Sequence, residues 1–241
     1  MKPILSILMV LFLCACVGTL ISAQEDVLSH EFHSYQVLDI KTSNSYRDSK
    51  SRSDQVIMTF PSIDGSEDIA FEMYPSDVIS DDYVLTISDG NGMIERKGTD
   101  VVPMYGYAVG DPSMKITLTM APDYMVASIR GNNIDYYIEP LNKFDKSAQS
   151  GRYVMYRSSD VKPHDGTCGH TSPKNISSQV EEKRVRNNYR AGDCYIVDYY
   201  VSSDSDMYSD FGNNVSAVES HVISIMNLMN TDYDDSFADE I

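Results

Sequence analysis

The chain of 241 residues is poor in several things. It has no tryptophan, only four cysteines, and no Lys or Arg after Arg190. Two of the cysteines, Cys14 and Cys16, fall within the first 23 residues, so only Cys168 and Cys194 remain beyond them. Past the N-terminus there is no long apolar run, which excludes a further membrane-spanning helix. Cations are scarce: 19 Lys+Arg stand against 36 Asp+Glu, a formal net charge of −17. Phosphates would be repelled by such a surface, and a nucleic-acid partner is excluded. The chain lacks H-E-x-x-H, a glycine-rich phosphate loop and a G-x-S-x-G elbow. His30-Glu31-Phe32-His33 places its histidines three residues apart, not the four that set two ligands on one helical face. The acidic clusters, among them "TDYDDSFADE", lack the residue order of a calcium loop.

The N-terminus sets the compartment. A short basic start, Met1-Lys2, precedes an apolar run from Ile4 to Leu13, and "ISA" ends at Ala23 before polar "QEDVLSH". This is the pattern of a signal peptide over 1–23, so a secreted, extracellular chain is expected and disulfides are permitted. "LCAC" allows a minor alternative, a lipoprotein anchored at Cys16.

From residue 54 to 157 the apolar pattern has period two. "DQVIMTF", "DIAFEMY", "DYVLTI", "MKITLTMA", "YMVASI", "NIDYYI" and "RYVMYR" are rich in Val, Ile, Thr, Tyr and Phe and are separated by turn residues. They predict an antiparallel β domain, sandwich or barrel, over 24–180. Seventeen Tyr suit half-buried strands. A hairpin is expected to turn at Gly131-Asn132.

Composition then shifts. "EEKRVRNNYR" holds Lys183, Arg184, Arg186 and Arg190, an exposed basic linker over 181–190 suited to a processing protease. The remainder, 191–241, has eleven acidic residues. "CYIVDYYVSSD" over 194–204 predicts a buried strand. Val215, Val218, Val222, Ile225, Met226 and Met229 predict an amphipathic helix, with Asn213 or Asn214 at its start. A strand and a helix open an α/β domain too short to close a core, so the expected class is α+β with a truncated second domain. Asn175 and Asn214 head glycosylation sequons.

Cys168 sits in "DGTCGHTSP", a polar loop unlike the apolar runs around core cysteines. Three roles are open to it: a Cys168–Cys194 disulfide, a zinc site with His164 and His170, or a thiolate that ligates metal in the next domain.

"YGYAVGDPSMKITLTMAPDYMVASIRGNNIDYYIEPL" resembles the propeptide of reprolysin/ADAM-type (metzincin) zinc metalloproteases. Tyr105, Gly106, Val109, Gly110 and Ser113 track one family segment, Ile116 to Thr119 a second, and Ile138-Glu139-Pro140-Leu141 the closing Y-x-I-E-P-L. "YVMYR" over 153–157 is similar to the next family strand, and "TCGHTS" resembles the cysteine switch. "VDYYVSSDSDMYSDFG" looks like the first catalytic-domain strand, with Asp204, Met207 and Tyr208 aligned and Asp198 where many members hold calcium with Glu. "VISIMNLMNTDY" resembles the first catalytic helix at Asn227, Asn230 and Tyr233. The likeness covers roughly 100–241. Met120 replaces a family cysteine.

The resemblance implies the N-terminal part of a secreted zinc metalloendopeptidase zymogen, with Cys168 as inhibitory zinc ligand and Asp198 as a calcium position. Its partners would be its own catalytic domain, a processing protease and the protein substrates of the full-length enzyme. Because H-E-x-x-H is missing, the chain as given is not expected to cleave peptides. The alternative is a secreted, non-catalytic β-rich binding or inhibitor module with a Cys168–Cys194 disulfide.

Overall fold

A computed structural model describes residues 27–40, 46, 55–62, 67–88, 90–131, 134–163 and 198–237. Ten strands are defined: β1 (Gln36–Asp39), β2 (Val56–Phe60), β3 (Ile69–Pro75), β4 (Val84–Ser88), β5 (Met93–Lys97), β6 (Val102–Ala108), β7 (Asp111–Ala121), β8 (Tyr124–Gly131), β9 (Ile134–Pro140) and β10 (Arg152–Arg157). Two α-helices follow, α1 (Ser205–Asp210) and α2 (Val215–Phe237).

Eight strands form one antiparallel sheet in the order β1-β10-β9-β8-β7-β6-β3-β2, curled into a half-barrel; β4 and β5 form a separate hairpin. The β-rich expectation holds. The closed barrel and the two-sheet sandwich do not, because β1 and β2 stay at opposite edges and do not pair. Strands β6 to β10 run as a meander, the arrangement that short turns between period-two segments favour.

Period-two alternation decides the sheet's faces. Ile116, Leu118 and Met120 of β7 join Met125, Ala127 and Ile129 of β8, Ile138 of β9 and Phe71 and Met73 of β3 in one buried concave core. Tyr46 sits in the same core, and its hydroxyl donates to the Asp100 carbonyl at 2.9 Å. Each fully buried Leu, Ile, Phe or Met contributes about 1.5–3 kcal/mol, so this core dominates the stability of the sheet.

β6 escaped the period-two reading because Pro103 and Gly106 interrupt it. Gly106 is sterically required: a Cβ there would lie 2.2 Å from the Glu72 carbonyl oxygen of β3. β5, "MIERK", is exposed at every position and carries no alternation. The β8–β9 hairpin closes on the Gly131–Ile134 pair, and residues 132–133 of the expected turn lie outside the described residues.

On the convex side, Leu28 and Phe32 pack over β9 and β10 with Leu141, Val154 and Tyr156. Phe32 stacks on Tyr156 at 4.2 Å between ring centroids. This explains the His30–His33 motif: both histidines are exposed and flank a buried aromatic anchor.

The expected buried strand over 194–204 is not found where the chain is described. Residues 198–204 form no strand and are exposed, with Tyr200 at 90%. An apolar run becomes a buried strand only between neighbours, and among the described residues none pairs with it.

Candidate functional site

The middle of the convex face presents Thr117 and Thr119 of β7 and Ser128 of β8. Alternation would leave such a polar row in water, yet all three are buried, because α2 lies across β6, β7 and β8. Asn214 starts the helix: its Oδ1 accepts from the backbone N–H of Ser216 at 3.0 Å and of Ala217 at 3.2 Å. This N-cap confirms the expected helix start. Asp204, aligned with a strand end in the resemblance, caps α1 instead, accepting from the Met207 N–H at 2.9 Å.

The helix sits down on its polar face. Asn227 is completely buried, and its Nδ2 donates to the carbonyls of Met104 and Leu118, both at 3.1 Å, and to Thr119 Oγ1 at 3.2 Å. Met104 and Leu118 are cross-strand partners, so one amide straddles the β6–β7 ladder. Its Oδ1 finds no hydrogen-bond partner among the described residues. Ser220 and Ser224 are buried and return their hydroxyls to helix carbonyls, those of Ser216 at 2.8 Å and His221 at 2.7 Å. The Ser224 hydroxyl also faces the Tyr124 hydroxyl at 3.4 Å. Near one end Glu219, 5% exposed, pairs with Arg96 of the β4–β5 hairpin and accepts from the Tyr83 hydroxyl at 3.1 Å. Toward the other end Arg130 pairs with Asp232. Two apolar α2 residues are buried as well, Val218 and Ile223, the latter in a cluster with Val101 and Ala121.

This environment shifts several groups, Tyr83 and His221 among them. Burial, and then the Glu219 carboxylate, push the Tyr83 hydroxyl up to about 12. Burial, and then Lys143, hold the His221 imidazole below its usual value, against the opposing pull of Glu139. His221 also packs on the Phe211 ring at 4.7 Å.

The expected apolar pattern is split: Val218 is buried, Val215, Val222 and Met226 are half-buried, and Ile225 and Met229 are exposed at 41% and 39%, with Tyr233 exposed beyond them. The helix has the expected period, and the sheet takes the face of Glu219, Ser220, Ser224 and Asn227 together with buried Val218 and Ile223. The sequence carries a repeating polar signal on this face, Ser220, Ser224, Asn227 and Thr231, at steps of three and four.

Of the expected site residues, Cys168, Asn175, Lys183, Arg184, Arg186 and Arg190 lie outside the described residues, as do His164, His170 and Cys194. Asp198 and Asn214 are exposed and in separate segments. Among the described residues no group of three His, Cys, Asp or Glu side chains is placed to hold a metal. No described helix is long and apolar enough to cross a membrane. Compared with protein-family models and with curated proteins, the chain matches none.

Proposed function

We propose that this chain is the N-terminal portion of a secreted zinc metalloendopeptidase precursor. The half-barrel is its prodomain. Cys168 supplies a thiolate to the position a catalytic zinc keeps open for water. Lys183, Arg184, Arg186 and Arg190 mark the processing segment, and 191–241 begins the protease domain. The thiolate excludes the attacking water, and cutting the basic segment lets the prodomain leave.

Cys168 and the basic segment carry this reading, and the exposure of Ile225 and Met229 on α2 supports it. An element whose core lies partly in another domain would leave such residues open. The abrupt loss of cations after Arg190 falls at the same boundary. The exposed Tyr199-Tyr200-Val201 run agrees, as an apolar segment without its sheet.

The test is Cys168→Ser in the full-length precursor, assayed on a protein substrate before processing. Early activity that a zinc chelator removes is expected. Unchanged latency, or a Cys168–Cys194 bridge found by non-reducing mass spectrometry, would replace this reading with the non-catalytic module.

A further inference from the structure

The convex face of β6–β8 is built to receive a helix by polar contacts. Its floor is Thr117, Thr119 and Ser128, its rim is Tyr83, Arg96, Tyr124 and Arg130, and its centre is the Met104–Leu118 carbonyl pair. From these contacts we infer that α2 is a separable ligand of this face rather than part of the sheet's core, and that the face recognises a helix by a Glu-Ser-Ser-Asn row. In processed protein the seam would hold the two pieces together without a peptide bond, a consequence that rests on the processing role proposed above.

Three features carry the inference. First, the seam carries a buried polar row on both sides, Thr117, Thr119 and Ser128 against Glu219, Ser220, Ser224 and Asn227, with Val126, Val218 and Ile223 among them, whereas the opposite face of the same strands is entirely apolar at Ile116, Leu118, Met120, Met125, Ala127 and Ile129. Polar contacts exchange readily with water and add little net stability, so such an interface opens without disturbing the core. Second, the contacts are geometrically specific: two backbone carbonyls on one amide, and a carboxylate between a guanidinium and a phenol. Third, Ile225 and Met229 stay outward while α2 is seated, so they remain available to another domain. None of this involves zinc, so the seam and the latency mechanism stand or fall separately.

The decisive experiment uses the full chain with residues 181–187 replaced by the recognition sequence of a site-specific protease. The chain is cut under reducing conditions, which removes any Cys168–Cys194 tether, and run on gel filtration at about 10 µM, a concentration that retains complexes of micromolar affinity or better. The C-terminal piece should co-elute with the half-barrel. Asn227→Asp should release it, because a carboxylate there faces two carbonyl oxygens without a donor. An affinity loss of at least tenfold is expected, with the sheet's circular dichroism unchanged. Ile225→Ser, on the outward stripe, should leave co-elution intact. Separation of the unsubstituted pieces would overturn the inference, and so would release by Ile225→Ser with retention by Asn227→Asp. Loss of the sheet signal in Asn227→Asp would show α2 to be core, which also overturns it.

Discussion

The two faces of β7 make the sharpest contrast in the molecule. On one, Ile116, Leu118 and Met120 meet other apolar side chains in the concave core; on the other, Thr117 and Thr119 are buried and Thr119 Oγ1 accepts from the Asn227 amide of a helix. The same strand therefore takes part in two interfaces of different kind. Burial of apolar area is non-directional and large, and it makes the half-barrel stable. Hydrogen bonds across the other face are directional and small in net effect, and they determine which helix docks and at what angle. Stability and specificity are thus divided between the two sides of one strand.

Substitutions on each side should separate these contributions. The largest effect is expected in the concave core. Leu118→Ala should cost about 2–5 kcal/mol in chemical denaturation, through lost burial and the cavity left behind, and it should destabilise sheet and helix together. Arg96→Ala comes next. It strips Glu219 of its cation while the carboxylate stays nearly buried. Breaking a buried pair costs about 3–5 kcal/mol, but Arg96 is partly exposed and water screens it, so about 1–3 kcal/mol is expected. That loss should appear as undocking of α2 with the sheet intact, read by tyrosine fluorescence against far-ultraviolet circular dichroism.

A smaller effect is expected from pH. His221 is held below its ordinary value near 6.5, so the undocked helix binds a proton more readily than the docked one. Docking should therefore be at full strength above that value and weaken as pH falls from there through the lower docked-state value. The groups facing His221 are Lys143, which drives the shift after burial, and Glu139, which opposes it. His221→Gln should flatten this part of the profile. The smallest effect is expected on the outward stripe, where Ile225→Ser should change stability by no more than about 0.5 kcal/mol.

The sheet was largely legible from sequence because period-two alternation reports burial directly. Seven segments, from "DQVIMTF" to "RYVMYR", became strands in the expected places, within a few residues at their ends. What escaped was what alternation does not encode. β6 is broken by Pro103 and Gly106, β5 faces water throughout, and sheet curvature depends on contacts between distant strands. For α2, period and N-cap were both legible, but the docking face was not. The apolar period alone does not say that Glu219, Ser220, Ser224 and Asn227 are buried beside Val218 and Ile223. Cys168 and the basic segment carry the zymogen proposal, and they lie outside the described residues.

Native-state hydrogen exchange on the intact chain tests the division most directly, comparing α2 amides with those of β7 and β8. If the seam is polar and separable, α2 should exchange by local opening at least about a hundredfold faster than the central strands, and Arg96→Ala should accelerate α2 alone. Equal protection of helix and strands, with Arg96→Ala accelerating both, would contradict this and make α2 an integral part of the half-barrel core.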